Sequence, residues 1–315
     1  MNYKTLVDPE LKRFAIKMPY GKAMIYGDQL THGLVSILAA VPADVSKRTF
    51  LIRREDGTAF HTDIYEPQNM PKKLPALIMI HGGAFSYRAA PYHIELAAMY
   101  ASGAGCRVFF PDYRLLPKDP WPAAWLDCLA LYRHVMENAE MYGIDAARIG
   151  VTGDSAGAFL AALLALRYEA EALIRPCLQM LVYPMTDCET NRESMKKYRD
   201  APFWNLKNHR KVIRYYFGNC SKEEIRELVP MRQELPEHIP DTYIETAEFD
   251  ILHDEGILFG KRLRDAGAEV VVNDTLRTFH GYDAALHTKI VRRNVKRRIV
   301  FLDSVFSGSA EEERE

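Results

Sequence analysis

The chain has 315 residues, of which 48% are hydrophobic and 26% are charged, and these fractions are typical of a soluble globular protein. Its 41 lysine and arginine residues nearly balance its 42 aspartate and glutamate residues, so no strong overall charge would recruit nucleic acid. The length exceeds that of a usual single domain, and we expect one α/β core with a smaller lid.

The cysteines and the N-terminus limit the cellular setting. The five cysteines are widely spaced and include no C-x-x-C pair, which argues against a disulfide framework and a zinc site. The segment from Met1 to Glu10 carries charges and Pro9 where a signal peptide needs an apolar core, and no apolar run is long enough to span a membrane. We therefore expect a cytoplasmic protein without stable membrane anchoring, while the sequence leaves open whether it forms homo-oligomers.

Alternation of strands and helices is the main pattern along the chain. Two short helices are predicted first, over 8–18 and 28–40. Two strands then flank the turn Asp56-Gly57 as a hairpin, and six further β-rich runs alternate with helical stretches. The predicted strands are 49–53, 60–65, 77–80, 107–110, 149–151, 179–183, 242–246 and 269–273, and the helices between and after them are 91–102, 122–141, 156–173, 253–266 and 283–302. This alternation predicts a mostly parallel sheet with helices on both faces.

One segment, 186–232, breaks the alternation because it is far longer than a single crossover between strands. We interpret it as a helical insertion that carries aromatic residues. Four of these are predicted to wall a substrate pocket, with burial in an ordinary core as the alternative. They are Phe203, Trp204, Tyr215 and Tyr216.

The turn after the strand 149–151 contains Gly153-x-Ser155-x-Gly157. Such a strand-to-helix turn holds its central serine in a strained conformation at a helix N-terminus, where free amides and the helix dipole favour an oxyanion. Ser155 is therefore the candidate nucleophile, and the amide of Ala156 is a candidate oxyanion donor. The same pattern also suits a simple glycine-rich turn, so other parts of a catalytic site have to be found.

A glycine pair, Gly82-Gly83, directly follows the strand 77–80. The carboxyl ends of parallel strands form the edge where ligands bind, and Ser155 is expected at the same edge. We predict that the amides of Gly82 and Gly83 complete the oxyanion hole, with a plain strand-ending turn as the alternative. Phe85 and Asp154, which adjoin the two glycine motifs, are predicted to contact the substrate.

A serine nucleophile needs a base, and the base needs an acid that fixes its tautomer. Asp250 and His280 follow the last two predicted strands and so lie at the same edge as Ser155. His280 is favoured because it stands in a loop before a glycine, and Asp254 is the main competitor of Asp250. The other candidates are His81, His253 and His287 for the base and Asp283 for the acid.

Together and in this order, the motifs resemble the hormone-sensitive-lipase-like family of α/β-hydrolase carboxylesterases. The resemblance runs from about residue 74 to residue 282. The matching segments are His81-Gly-Gly-Ala-Phe85, Asp112-Tyr-Arg-Leu-Leu-Pro117, Pro120-Trp-Pro-Ala-Ala124, Gly153-Asp-Ser-Ala-Gly157, Tyr183-Pro184, Glu248-Phe-Asp250, Asp254-Glu-Gly256 and His280-Gly281. The chain departs from the family pattern at Ala84, which replaces a third glycine, at Lys118 and at Ile251.

The resemblance implies an α/β-hydrolase fold and hydrolysis of carboxylic esters, without a metal or an organic cofactor. It also implies a helical cap made of residues 1–45 and 186–232 over a core made of residues 46–185 and 233–306. Residues 307–315 are polar and acidic, and we predict that this tail is disordered.

The expected substrates are small-molecule esters with short to medium acyl chains, because aromatic walls in the cap would limit the pocket. The reaction would proceed through an acyl-serine intermediate. A deacetylase, or an amidase or peptidase with the same triad, is the nearer alternative. A ligand-binding module on a hydrolase scaffold is the remote one, and the presence of His280 argues against it.

Overall fold

Eight strands form one sheet in the computed structural model, which describes residues 1–68 and 73–308, side chains at 33–35 excepted. In chain order the strands are β1 (Val45–Arg53), β2 (Ala59–Pro67), β3 (Leu74–Ile80), β4 (Arg107–Pro111), β5 (Ile144–Asp154), β6 (Leu178–Val182), β7 (Asp241–Phe249) and β8 (Val270–Phe279). Their order across the sheet is β1-β2-β4-β3-β5-β6-β7-β8. Only the pairs β1–β2 and β2–β4 are antiparallel within this sheet, which confirms the predicted hairpin and the mostly parallel arrangement.

Helices fill most of the connections between strands. They are α1 (Tyr3–Leu6), α2 (Lys22–Val35), α3 (Pro91–Gly103), α4 (Ala123–Glu137), α5 (Ala156–Leu166), α6 (Glu193–Lys197), α7 (Leu206–Tyr216), α8 (Lys222–Leu228), α9 (His253–Asp265) and α10 (Lys289–Ser307). The chain moves outward from the centre of the sheet in both directions, from β3 to β4 through α3 and from β5 to β6 through α5. Because such crossovers are right-handed, these two helices cover opposite faces. Within the described ranges, no helix is both long and apolar enough to cross a membrane.

The centre of the core is the part that carries the predicted nucleophile. All seven residues of β3 and all eleven residues of α5 are buried. Such uniform burial fits their composition, since both segments are almost entirely aliphatic and small residues. The turn that joins β5 to α5 therefore lies beside two elements whose residues are all buried.

The N-terminal segment differs from its prediction. The helix predicted over 8–18 is reduced to a 3-10 turn at Pro9–Leu11, where the side chain of Asp8 caps the N–H of Glu10. Farther on, the carbonyl of Ile16 accepts a hydrogen bond from the N–H of Phe203, so a tertiary contact with the insertion replaces a local helix. The second helix, α2, starts earlier than predicted and ends within the predicted 28–40 range.

The segment between β6 and β7, where the sequence predicted a helical insertion over residues 186–232, contains α6, α7 and α8. In α7, the side chains of Leu206, His209, Val212 and Tyr216 are buried at helical spacing. The predicted acidic tail begins with the end of α10 at Ser307, and its residues 309–315 lie outside the described residues.

Parallel strands direct the loops that carry the candidate site to a single edge of the sheet. The turn at Ser155 follows β5, Asp250 follows β7 and His280 follows β8. The loop beginning at His81 follows β3. Since β3, β5, β6, β7 and β8 all run in one direction, these four segments meet at their carboxyl ends.

Candidate active site

Ser155 stands on the sharp turn between β5 and α5 with a φ of 53° and a ψ of −115°. A positive φ is strained for a residue with a side chain, and such strain is common at functional turns. The flanking glycines make the turn possible. A Cβ at Gly157 would come within 2.0 Å of the carbonyl oxygen of Ile80, and one at Gly153 would come within 2.4 Å of the backbone of Gly157. Only glycine fits at both positions, which explains the motif.

A chain of hydrogen bonds links Ser155, His280 and Asp250. The Oγ atom of Ser155 lies 2.8 Å from Nε2 of His280, and Nδ1 of His280 lies 2.7 Å from Oδ2 of Asp250. The other oxygen of Asp250 accepts the N–H of Leu252 at 2.9 Å, which fixes the carboxylate. Since a carboxylate only accepts, Nδ1 of His280 is the donor and Nε2 is available to take the serine proton.

The other residues weighed from the sequence have different partners. They are His81, His253, His287, Asp254 and Asp283. His253 lies 3.1 Å from Asp254 and 3.2 Å from Asp274, and Asp283 is bound to the guanidinium of Arg298. Burial, followed by the neighbouring His93, lowers the pKa of His81 to about 4, and His287 is exposed. None of these five contacts Ser155 within the described residues.

Asp154 is a buried anchor for the loop that follows β3. Its Oδ1 accepts the N–H of Gly82 at 2.8 Å, and its Oδ2 lies 3.2 Å from Nε2 of His93. Because Nδ1 of His93 accepts the N–H of Ala90 at 2.9 Å, Nε2 carries the hydrogen and donates it to Asp154. Burial opposes the charge of Asp154, but His93 and Gly82 hold its pKa below the usual value. The N–H of Gly82 is therefore occupied, which corrects the prediction that Gly82 contributes to the oxyanion hole.

Beyond Gly82 the loop turns back on itself through left-handed conformations. The φ angles are 112° at Gly83, 57° at Ala84 and 53° at Phe85. The carbonyl of Gly83 accepts the N–H groups of Ser86 and Tyr87, which closes the turn. In the part of the chain that the structure describes, the N–H groups of Gly83 and Ala84 have no protein acceptor. Both residues line the cavity that holds Ser155.

A cavity of about 520 Å³ opens beside Ser155 and His280. This volume is within the range of pockets that bind small organic molecules. Its walls are mainly apolar and come from several separate parts of the chain. The N-terminal segment supplies Met18, Pro19, Ala23, Met24, Gly27, Asp28 and Thr31; the loop after β3 and the start of α3 supply Gly83, Ala84, Tyr87, Arg88, Ala90, Tyr92 and His93; the remaining walls are Asp154, Tyr183, Phe203, Trp204 and Gly281.

The predicted pocket residues divide into two groups. Asp154, Phe203 and Trp204 line the cavity, whereas Phe85, Tyr215 and Tyr216 do not. The rings of Phe85 and Tyr216 are buried and stack on each other at 3.8 Å between centroids, so they join the loop after β3 to α7. Tyr215 is 40% exposed, and its ring lies 6.4 Å from the ring of Tyr20. These three assignments are corrected: Phe85 and Tyr216 pack against each other away from the cavity, and Tyr215 is partly exposed outside it.

Sequence reasoning missed the walls that the N-terminal segment supplies. No local motif marks Met18, Met24 or Asp28, because their position depends on how α2 packs over the sheet edge. Tyr183 was recognised only as part of a motif, although its place directly after β6 puts it at the same edge as Ser155. Its ring lies 4.9 Å from the ring of His280.

Comparisons with known proteins agree with this geometry. A family model described as an alpha/beta hydrolase fold matches residues 77–284. The chain is 31% identical to esterase LipI of Mycobacterium tuberculosis, over 89% of this chain and 88% of that protein. It is also 31% identical to ethyl acetate hydrolase of Pseudomonas putida, over 68% of this chain and 69% of that protein. The crystal structure of esterase LipW from Mycobacterium marinum matches with a TM-score of 0.89 at 26% identity, over 96% of this chain and 97% of that chain.

Proposed function

Because the chain belongs to the hormone-sensitive-lipase-like branch of the α/β-hydrolase family and is a carboxylic ester hydrolase, we propose that it acts through an acyl-serine intermediate on Ser155. The observation that carries this proposal is the hydrogen-bonded series of Ser155, His280 and Asp250, with spacings of 2.8 and 2.7 Å. These distances are those of a nucleophile, its base and the group that orients the base.

In the proposed reaction, Nε2 of His280 takes the proton of Ser155 as Oγ attacks the ester carbonyl carbon. Asp250 keeps the hydrogen on Nδ1 of His280 and stabilises the imidazolium that forms. When the tetrahedral intermediate collapses, His280 gives its proton to the departing alcohol. A water molecule then attacks the acyl-Ser155 ester with His280 again as the base, which releases the acid and regenerates the serine.

We propose that the oxyanion is held by the amides of Gly83, Ala84 and Ala156. The N–H groups of Gly83 and Ala84 have no protein acceptor in the described residues, and Ala156 is the first residue of α5. Amides in the first turn of a helix lack partners inside that helix, and its dipole favours negative charge at this end. Ala84 thus takes the role that the sequence suggested for Gly82.

The proposed substrates have short to medium acyl chains. The cavity of about 520 Å³ has to hold the acyl group and part of the alcohol, and Phe203 and Trp204 limit one side of it. The ethyl acetate hydrolase that resembles this chain is named for an ester of this small size. Each buried methylene contributes about 0.8 kcal/mol, so kcat/KM is expected to rise over the first carbons and to fall once the chain meets the wall, at roughly C8.

A series of p-nitrophenyl esters from acetate to palmitate tests both parts of the proposal. Ser155→Ala is expected to lower kcat by at least about a thousandfold on every ester, because the residues of a triad act as a unit. Ser102→Ala, a change at an exposed serine of α3, is the matched control and should keep parental rates. Near-parental activity of Ser155→Ala would refute the acyl-serine mechanism.

The same series and its amide analogues separate the alternatives. Rates that continue to rise up to palmitate would contradict the proposed chain length and indicate a lipase. A higher kcat/KM for matched amides than for esters would instead support the deacetylase or amidase alternative.

A further inference from the structure

One carboxylate in the wall of the active-site cavity has no cation as a partner. Asp28, half-buried on α2, lines the cavity together with Ser155. Its Oδ2 accepts the backbone N–H of Arg88 at 2.9 Å. No lysine, arginine or histidine of residues 1–68 and 73–308 forms an ion pair with it. Asp28 therefore keeps an uncompensated negative charge at the cavity wall.

The basic side chains in this region are either paired with other carboxylates or uncharged. The guanidinium of Arg88 donates two hydrogen bonds to Asp112, at 2.6 and 2.8 Å. Lys47 is paired with Asp63 at 2.8 Å. Burial, followed by the charge of Arg88, lowers the pKa of the neighbouring His32, so this imidazole is neutral at pH 7. None of these groups cancels the charge of Asp28.

The two histidines of the wall are each bound to a carboxylate. Nε2 of His93 donates to Asp154, and Nδ1 of His280 donates to Asp250. Among the described lining residues, Arg88 is thus the one permanent cation, and Asp112 neutralises it. The carboxylates of the described lining residues, Asp28 and Asp154, therefore outnumber their one permanent cation.

Aromatic faces and thioethers complete the wall around this charge. Tyr87 and Tyr92 line the cavity from the loop after β3 and the start of α3, and Trp204 lines it from the insertion. Met18 and Met24 come from the N-terminal segment. A carboxylate combined with aromatic faces attracts an organic ammonium ion, through charge and through cation–π contacts.

We propose that this pocket prefers esters that carry an ammonium cation, and that Asp28 is the residue that selects for the charge. The inference rests on the proposed ester hydrolysis at Ser155, since the cation has to bind while the ester carbonyl lies at the serine. The cation belongs to the alcohol portion or to the acyl portion of the ester, and the two pairs of substrates below distinguish these sources.

Two pairs of esters test the charge preference at constant shape. The first pair is butyrylcholine and its carbon isostere, in which a tert-butyl group replaces the trimethylammonium group of the alcohol. The second pair places the same two groups at the end of the acyl chain of a p-nitrophenyl ester. For each pair, the quantity measured is the ratio of kcat/KM for the cationic ester to kcat/KM for its neutral isostere.

Asp28→Asn is the test variant, because an asparagine oxygen still accepts the N–H of Arg88 while the charge is lost. We expect the ratio to fall by about three- to tenfold in at least one pair, and that pair assigns the cation to the alcohol or the acyl side. Glu140→Gln, which removes an exposed carboxylate near the opposite end of β5, should leave both ratios at the parental value. Unchanged ratios in both pairs for Asp28→Asn would overturn the proposal.

Ionic strength provides a test that needs no variant. Added salt screens the field of Asp28, so the parental ratio should fall as the salt concentration rises, whereas the ratio of Asp28→Asn should change less. A parental ratio that does not respond to salt would count against the proposal. Failure of the proposed function would look different, because the parent would then hydrolyse neither member of a pair nor p-nitrophenyl acetate.

Discussion

Asp154 connects the two glycine motifs of the active site at the level of single residues. It precedes Ser155 on the turn after β5, and it holds the N–H of Gly82 in the loop after β3. Its second oxygen is satisfied by His93, at the start of α3. A single buried carboxylate thus links the turn at Ser155 to the loop that carries the proposed oxyanion donors Gly83 and Ala84.

Asp154→Asn is predicted to lower both stability and kcat. The asparagine oxygen can still accept the N–H of Gly82, but its NH₂ group then faces the Nε2–H of His93, which leaves two donors opposed. A buried donor without a partner costs about 1–3 kcal/mol of stability. The loop after β3 would also be held less firmly, and this should slow the chemical step because the loop carries the proposed oxyanion donors. Urea denaturation and steady-state kinetics measure the two effects.

The control for this prediction is Asp145→Asn, at the start of β5, where a partly exposed carboxylate binds Arg148. This variant should change the free energy of unfolding by less than about 1 kcal/mol. An Asp154→Asn protein as stable and active as the parent would show that Asp154 does not anchor the loop.

Chain order alone predicts which residues lie together at the edge of the sheet. Ser155, Asp250 and His280 each follow a strand of a parallel sheet, and the structure brings their side chains within hydrogen-bond distance. The direction of a single amide is harder to foresee. The N–H of Gly82 turns towards Asp154, 72 residues away in sequence, and no local pattern around Gly82 reveals that partner.

At the scale of elements, the loop that carries Asp250 also holds the start of the insertion. Glu255, in the first turn of α9, is fully buried, and its Oε2 accepts the N–H groups of Thr186 and Asp187 at 2.8 and 3.0 Å. Asp254 accepts the N–H of Ser194 in α6 at 2.8 Å. The start of α9 therefore binds the insertion and directly follows the loop that carries Asp250.

Glu255 predicts a pH dependence of stability. Burial is the main cause that raises its pKa from 4.5 to about 8. The folded state thus binds this proton more tightly than the unfolded state, so the contribution to the free energy of unfolding is full below pH 4.5 and is lost as the pH rises to about 8. The slope is at most about 1.4 kcal/mol per pH unit.

Glu255→Gln removes the titration and keeps an acceptor for the two N–H groups. The variant should gain stability relative to the parent between pH 5 and pH 8, by roughly the slope given above, and the difference should be constant above about pH 8. Denaturation curves across this pH range measure it, with the exposed Glu237→Gln as control. Parallel pH profiles for the parent and Glu255→Gln would exclude a protonated Glu255.

Elements with a strong pattern were predicted well, and elements shaped by distant contacts were not. All eight predicted strands are present because their short β-rich runs are bounded by turn residues. The prediction of a helix over 8–18 is wrong because this segment forms hydrogen bonds with distant parts of the chain. The hydrogen bond from the N–H of Phe203 to the carbonyl of Ile16 is an example. The spacing of apolar residues in the sequence does not reveal such tertiary hydrogen bonds, which can override a local helical preference.

At the scale of the whole molecule, a buried ionic network joins the last helix to the sheet. Arg298 of α10 is fully buried and binds Glu245 of β7 and Asp283, which follows His280. Asp283 in turn accepts the hydroxyl of Tyr183 at 3.1 Å, and the ring of Tyr183 packs beside His280. The end of the chain is thereby connected to the catalytic edge.

Arg298→Met is predicted to lower the free energy of unfolding by about 3–5 kcal/mol, because it leaves Glu245 and Asp283 buried without a cation. Combining it with Glu245→Gln and Asp283→Asn removes the two charges and should recover part of that loss. Chemical denaturation of both variants provides the measurement. A cost below about 1 kcal/mol for Arg298→Met would contradict the importance of this network.

The N-terminal segment supplies part of the cavity wall but none of the residues of the Ser155, His280 and Asp250 series. The family model spans residues 77–284, which contain Ser155, Asp250 and His280, whereas Met18, Met24 and Asp28 precede it. The proposed catalytic residues and part of the cavity wall thus lie in different portions of the chain. We expect an exchange of residues 1–45 between related hydrolases to change the acyl-chain preference and to keep the hydrolysis of p-nitrophenyl acetate, and the series of p-nitrophenyl esters measures both. Selectivity could then change without any substitution at Ser155, Asp250 or His280.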